Sequence, residues 1–240
     1  MFGLPDGVAA CLFDLDGVLT KTAKVHAAAW KEMFDTYLRA RSKRTGEEFV
    51  PFDSHHDYDR YVDGLPRYDG VRAFLDSRGI EHDEKLVHDL GDRKNDLVLK
   101  LIHDHGVEPY EGSVRYLKAA RDAGLPRAVV SSSTNCHDVL VAAGIEGLLE
   151  ARVDGNTVEE RHLKGKPAPD MFLEGAKELG IEPSHAAVFE DALAGVEAGR
   201  AGHFGYVVGV DRVGHADALR EHGADVVVED LAELLDAHRA

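Results

Sequence analysis

Two acidic pairs in this chain could do chemistry together: Asp14 and Asp16 in FDLDGVLT, and Glu190 and Asp191 in HAAVFED. Taken alone, each pair reads as a helix N-cap or a solvated turn. If the pairs converge, three or four carboxyl oxygens need a hard cation between them, and oxygen-only ligation suits Mg²⁺ with part of its water shell retained. Two further stretches bring complementary groups. SSSTN at 131–135 gathers hydroxyls and backbone N–H groups ahead of a helix, a place for an anion, although ordinary capping would explain it by itself. LKGKPAPD places Lys166 in a rigid turn between a glycine and a proline, unlike most lysines, which are solvated surface charges. A carboxylate nucleophile, a metal, a hydroxyl-lined anion cradle and a lysine are the parts of phosphoryl transfer through an aspartyl phosphate.

These residues need a scaffold that brings them to one place. Short apolar runs at Val8 to Phe13, Ala128 to Val130, Ala186 to Phe189, Tyr206 to Val210 and Asp225 to Val228 predict buried strands, bounded by Gly, Pro or charge. Amphipathic segments separate them. Cys136, Val139, Leu140 and Ala143 recur at helical spacing, with Asn135 as N-cap and Gly144 beyond the end. Pro169 opens another helix, whose stripe of Phe172, Ala176 and Leu179 stops at Gly180. Repeated strand-then-helix units imply an α/β fold, a Rossmann-like parallel sheet with helices on both faces. Ligands of such sheets bind beyond the carboxyl ends of the strands, where both acidic pairs would emerge. Residues 22–105 break the rhythm: Val25, Ala29, Trp30 and Met33 make one helical stripe, Leu86, Leu90, Leu97 and Leu101 suggest others, and no strand pattern intervenes. The core is therefore expected in 1–21 and 106–240, with a helical domain inserted over 22–105.

Composition narrows the partners. The chain has 240 residues, 44% of them hydrophobic and 30% charged, enough to bury a core in one large or two smaller domains. A formal net charge of −16 with no basic stripe argues against nucleic acid. The N-terminal MFGLPDGV lacks a basic region followed by an apolar core, and no run reaches membrane-spanning length, so a cytoplasmic protein without membrane contact is expected. Cys11 and Cys136 read as buried free thiols. A monomer is expected, with a weak dimer as the alternative.

FDLDGVLT, VVSSSTN, GKPAPD and FEDALAG match, in order, the four motifs of the haloacid dehalogenase superfamily, and the chain resembles a member of it across the whole sheet domain. The insertion after the first motif sits where that superfamily keeps a small helical cap. The resemblance implies that Asp14 is the nucleophile and Asp16 the general acid/base. It also implies that Ser131, Ser132 and Lys166 bind the transferring phosphate, and that Glu190 and Asp191 complete an Mg²⁺ site with Asp14 and Asp16. The superfamily's dehalogenases do not keep the second aspartate, so Asp16 turns the expectation to phosphoryl transfer.

Within the superfamily, TKTAKVHAAAW resembles the start of the cap in β-phosphoglucomutases. This likeness places Thr22 and His26 where those enzymes couple cap closure to the acid/base aspartate; related sugar-phosphate phosphatases usually show no matching histidine. VDGLPR aligns Arg67 with the arginine that holds the second, non-transferring phosphate, a task suited to a forked guanidinium. Ser133 and Asn135 match positions that reach the same phosphate. Two residues depart from the pattern. Thr134 stands where a basic residue is expected, which leaves less positive charge for a second phosphate, and Lys21 replaces an acidic residue common just after the first motif.

The resemblance thus implies isomerisation of a hexose 1-phosphate to the 6-phosphate, with a phosphatase of sugar or other small phosphate monoesters as the alternative. A non-catalytic phosphate-binding protein is a third reading, set against the presence of Asp14, Asp16, Lys166 and Asp191. Other features have bland explanations. His55 and His56 in FDSHHDYDRY lack regular ligand spacing and read as an exposed loop, and His103 and His105 as solvent-facing residues. The glycines of GVEAGRAGHFG read as close packing and a tight turn.

Overall fold

Apolar runs too short for helices, several buried on both faces, make the centre of the protein in a computed structural model that describes residues 2–236. Met1 and residues 237–240 of the expected core span lie outside the described residues. The strands are β1 (Ala10–Phe13), β2 (Arg127–Val130), β3 (Ala151–Val153), β4 (Ala186–Glu190), β5 (Tyr206–Val210) and β6 (Val226–Val228). They pair in parallel in the order β3-β2-β1-β4-β5-β6, and every residue of β1, β2 and β4 is buried. That is the α/β, Rossmann-like sheet the alternation predicts. β3 was absent from the predicted strands: it is three residues long, lies at the sheet edge and exposes Arg152, so it carries neither an apolar run nor a usable alternation.

The chain divides into two compact units, one of Met1–Lys21 with Val107–Ala240 and one of Thr22–Gly106. The second is helical: α1 (Ala23–Thr45), α2 (His56–Tyr61), α3 (Arg67–Ser77) and α4 (Glu84–His105). α1 ends on Gly46 at φ 77, a left-handed cap that glycine adopts without strain, and Asp83 caps α4 by accepting the Leu86 N–H at 2.8 Å. The core of this unit is aromatic. Phe34 is fully buried, with ring centroids 5.3 Å from Trp30, 5.2 Å from Phe52 and 4.1 Å from Phe74.

In the sheet unit the helices are α5 (Glu111–Asp122), α6 (Cys136–Ala142), α7 (Gly155–Arg161), α8 (Asp170–Glu178), α9 (Leu193–Ala201), α10 (Ala216–His222) and α11 (Ala232–Asp236). α8 packs Met171, Phe172 and Ala176 against Leu12, Val130 and Val188 of the sheet. It comes close at Gly175, where a Cβ would stand 2.9 Å from Leu12 Cδ2. Asn135 occupies the N-cap position of α6, but its side chain makes no capping hydrogen bond. Cys11 and Cys136 are free and buried, and burial pushes the Cys11 thiol up to about 12. His55, His56, His103 and His105 are exposed.

Residues 19–21 and 108–110 of the sheet unit run side by side. Lys21 N–H donates to Glu108 O and Tyr110 N–H to Leu19 O, both at 2.9 Å. Lys21, one of the two departures from the family pattern, finds its counter-charge here, with Nζ 2.8 Å from Glu108. Among the described residues no helix is long and apolar enough to cross a membrane.

Truncation of Phe34 removes the ring that three others share. Phe34→Ala is expected to destabilise the helical unit by about 3–5 kcal/mol, read as a lower urea midpoint for tryptophan fluorescence, since Trp30 is the chain's single tryptophan. An unchanged midpoint would refute this account of the core.

Candidate active site

β1 and β4 are parallel neighbours with Phe13 opposite Phe189, so the residues that follow leave the sheet side by side. The Asp14 N–H closes the pairing on Phe189 O at 2.9 Å. The Asp14 and Glu190 side chains meet at Lys166, which follows Gly165 and precedes Pro167 through a cis peptide bond. Lys166 Nζ donates to Asp14 Oδ1 at 2.6 Å, Glu190 Oε1 at 2.5 Å and Val130 O at 3.2 Å, which uses all three of its donors. The side chain is 0% exposed. Burial opposes its charge, but Asp14 and Glu190 outweigh that and push its pKa up. Burial in turn raises Asp14 to about 6 and Glu190 to about 7, with Lys166 working against both shifts. The Lys166 ammonium also lies over the Phe172 ring, with Nζ 5.0 Å from its centroid.

Glu190 is committed on both oxygens, since Oε2 accepts the Ala192 N–H at 2.9 Å. It fits only because residue 195 is glycine: a Cβ there would stand 1.8 Å from Glu190 Oε1. Asp14, Glu190 and Asp191 each offer an oxygen within 4.8 Å of the others, a trio able to hold a cation. Asp16, expected in the same ligand set, is half-buried, and its carboxylate is not in this trio. Gly17 adopts φ +91, and a Cβ on it would fall 1.7 Å from Asp191 Oδ2. A donor set of carboxylate oxygens beside one ammonium fits Mg²⁺ and not a softer ion.

The 131–135 loop leaves β2 and is folded on its own hydroxyls. Ser131 Oγ accepts the Ser133 N–H and Ser133 Oγ accepts the Asn135 N–H, both at 3.1 Å, so each O–H is left to donate outward. Ser132 Oγ lies 4.0 Å from Met171 Sδ. α7 supports the loop from beyond β3: Gly155 N–H donates to Ser133 O at 3.2 Å, and Asn156 Nδ2 to Thr134 O at 2.8 Å. α6 has only seven residues, so an anion held here would rely on the hydroxyls and loop amides more than on a long helix dipole.

In the helical unit, Thr22 is the buried N-cap of α1 and its carbonyl accepts the His26 N–H at 2.9 Å. His26 Nδ1 lies 2.9 Å from Lys94 Nζ, and that ammonium sits 4.8 Å from the centroid of Trp30. Burial, then the charges of Lys94 and Arg67, hold the His26 pKa well below 6.5. Arg67 opens α3, half-buried, with Nη1 3.6 Å from Asp92. Lys94, the neighbour of His26, is a residue the sequence reading missed. The readable signal was its position, since it continues the buried face of Val87, Leu90, Gly91 and Val98 on α4, where an apolar residue belongs. Gly17 and Gly195 were likewise missed as residues that make room for carboxylates.

A family model described as haloacid dehalogenase-like hydrolase matches residues 8–203. A β-phosphoglucomutase of Mycobacterium tuberculosis is 57% identical over 247 aligned positions, covering 98% of this chain and 94% of that protein. A haloacid dehalogenase family hydrolase of Deinococcus radiodurans, solved with bound phosphate and sodium, is 30% identical with a TM-score of 0.65, covering 97% of this chain and 96% of that one. A β-phosphoglucomutase structure from Clostridium difficile shares the fold at a TM-score of 0.76 and 24% identity, over 95% of this chain and 93% of that one.

Two substitutions test the site. Gly195→Ala should displace Glu190 from Lys166 and lower turnover about tenfold or more; a variant as active as the parent would remove Glu190 from the argument. Lys94→Met should raise the His26 pKa, followed by NMR titration of the imidazole. His26 is depressed in the fold relative to 6.5, so as pH falls below that value the unfolded chain takes up a proton that the fold refuses. The associated stability is complete above pH 6.5 and declines below it, by at most about 1.4 kcal/mol per pH unit; Lys94→Met should make that decline shallower.

Proposed function

The chain belongs to the haloacid dehalogenase-like hydrolase family and is an enzyme of its phosphotransferase or phosphatase type, and from that premise we propose that it is a β-phosphoglucomutase, converting a hexose 1-phosphate to the 6-phosphate. The observation that carries the chemistry is the fully buried Lys166 ammonium, held 2.6 Å from Asp14 beside two further carboxylates. The choice of a mutase is supported by the near-full-length likeness to the mycobacterial protein of that name, and by the family likeness of Thr22, His26 and Arg67 in the helical unit.

In this reading an Asp14 oxygen attacks the C1 phosphorus of a bound hexose 1,6-bisphosphate, the bond from phosphorus to the sugar oxygen breaks, and Asp16 protonates that oxygen, which leaves the hexose 6-phosphate. Lys166 keeps Asp14 ionised despite its burial and faces the charge that develops on the phosphoryl group. The Ser131 hydroxyl, with that of Ser132, donates to oxygens of the transferring phosphate. In the second half-reaction the 6-hydroxyl of a hexose 1-phosphate gives its proton to Asp16 and attacks the aspartyl phosphate, which regenerates the bisphosphate and restores the Asp14 carboxylate. Mg²⁺ held by Asp14, Glu190 and Asp191 supplies further neutralisation of carboxylate and phosphate charge when bound. Arg67, with Ser133 and Asn135, is assigned to the non-transferring phosphate, and Thr22 and His26 to the positioning of Asp16, by likeness.

A phosphatase of small phosphate monoesters is the second reading, favoured by one residue: Thr134 brings no charge where the mutases place a base. A non-catalytic phosphate binder is disfavoured by the presence of Asp14, Asp16, Lys166 and Asp191.

The deciding assay supplies β-glucose 1-phosphate, Mg²⁺ and a trace of glucose 1,6-bisphosphate, and records glucose 6-phosphate and free phosphate side by side. Glucose 6-phosphate without matching phosphate release is the expected result, and free phosphate with little isomer would replace the mutase by the phosphatase. Asp14→Asn should abolish both products, so activity retained in that variant would overturn the aspartyl-phosphate chemistry itself.

A further inference from the structure

The loop that leaves β5 carries Arg212 to a junction of segments that the site depends on. Arg212 Nε donates to the Gly17 carbonyl at 3.0 Å. Nη1 donates to the Glu229 carbonyl and lies 3.3 Å from Asp230 Oδ2. The guanidinium also covers the Tyr110 ring at 3.7 Å from its centroid. With the side chain 14% exposed, this is no surface arginine that merely passes the loop. Its own base is rigid, because the Asp211 carboxylate accepts four backbone N–H groups, those of Val213, Gly214, His215 and Ala216, at 2.7–3.1 Å.

What Arg212 grips is the weakest point of the first motif. Gly17 directly follows Asp16, sits at φ +91 and has no room for a Cβ against Asp191. Glycine has the greatest backbone freedom to lose and no side chain to anchor it. Only its backbone can hold it: the N–H donates to Thr20 O at 2.8 Å, and the carbonyl takes Arg212. Tyr110, under the guanidinium, donates its N–H to Leu19 O at 2.9 Å, so the stack ties the far end of the same loop. A planar fork can bond a carbonyl along one edge and cover a ring with its face, which a single ammonium cannot do.

We infer that Arg212 is a positioning residue for phosphoryl transfer: its guanidinium sets the backbone of residues 16–20, and through it the placement of Asp16 and the Gly17–Asp191 contact. This rests on the reading that Asp14 and Asp16 do the chemistry, but the holding of the loop can be measured apart from it.

The test compares the full-length protein with Arg212→Met and Arg212→Lys, following steady-state turnover of β-glucose 1-phosphate and hydrogen exchange of peptides covering 14–20. Arg212→Met should lower kcat about 10- to 100-fold with KM within about threefold, the split expected when geometry at the reacting centre is lost and substrate contacts remain. Exchange over 14–20 should quicken, and Arg212→Lys should fall between the parent and Arg212→Met. A kcat per folded molecule equal to the parent's, a loss confined to KM, or unchanged exchange over 14–20 would overturn the inference. Should Arg212→Met fail to fold, Arg212→Lys decides by the same criteria. A parent that turns over no phosphate ester would remove the proposed function, and exchange would then judge Arg212 alone: quicker sustains its hold on the loop, unchanged overturns it.

Discussion

A lysine ammonium buried between two carboxylates governs the rest of this protein. Taking Lys166 out of water is costly, and only the close approach of Asp14 and Glu190 with the Val130 carbonyl offsets it. Removing one member of such a group leaves an uncompensated buried charge, typically a cost of about 3–5 kcal/mol. The architecture meets that demand from several sides. Parallel pairing of β1 with β4 delivers the two carboxylates, β2 delivers the carbonyl, and α8 places Phe172 beside the lysine ammonium. The third residue of α9, Gly195, leaves room where any side chain would expel Glu190. The same grouping is what the proposed phosphoryl transfer would use: a carboxylate kept ionised in a dry place, with a positive charge where phosphate oxygens would gain negative charge.

The first motif is built around a compromise. Asp191 approaches the residue after Asp16 so closely that it must be glycine, which supplies no hold of its own. The structure makes up for this with bonds to the backbone, from Thr20 on one side and Arg212 on the other. Distant segments therefore stabilise a short loop, and the loop after β5, which brings no group to the carboxylate trio, still bears on its geometry.

The helical unit solves a separate problem with similar means. Its aromatic cluster around Phe34 stabilises four helices without a sheet, and at the edge of that cluster Trp30 faces Lys94, whose ammonium reaches His26. Burial, and after it the charge of Lys94 beside the imidazole, hold the His26 pKa well below its usual value. Lys21 shows how local a departure from the family pattern can be. Its charge is answered by Glu108 across a pair of backbone bonds, whereas Thr134 is held through its carbonyl by Asn156 and gains no charge from it.

Local order was largely decided by the sequence itself. Strand-helix alternation, the acidic pairs at strand ends, the hydroxyl run and the lysine before a proline are properties of neighbouring residues, so β1, β2, β4, β5 and the helices after them were legible, as was the helical character of 22–105. What escaped was what needs distance. β3 is too short and too polar to declare itself until β2 pairs with it, and Arg152 is tolerated there because an edge strand leaves one side open. The burial of Lys166, the exclusion of Asp16 from the carboxylate trio, the grip of Arg212 on Gly17 and the Lys94–His26 pair each join residues far apart in the chain. Whether a charge is solvated or buried, and which charge answers it, depends on the dielectric and neighbours that only tertiary packing creates.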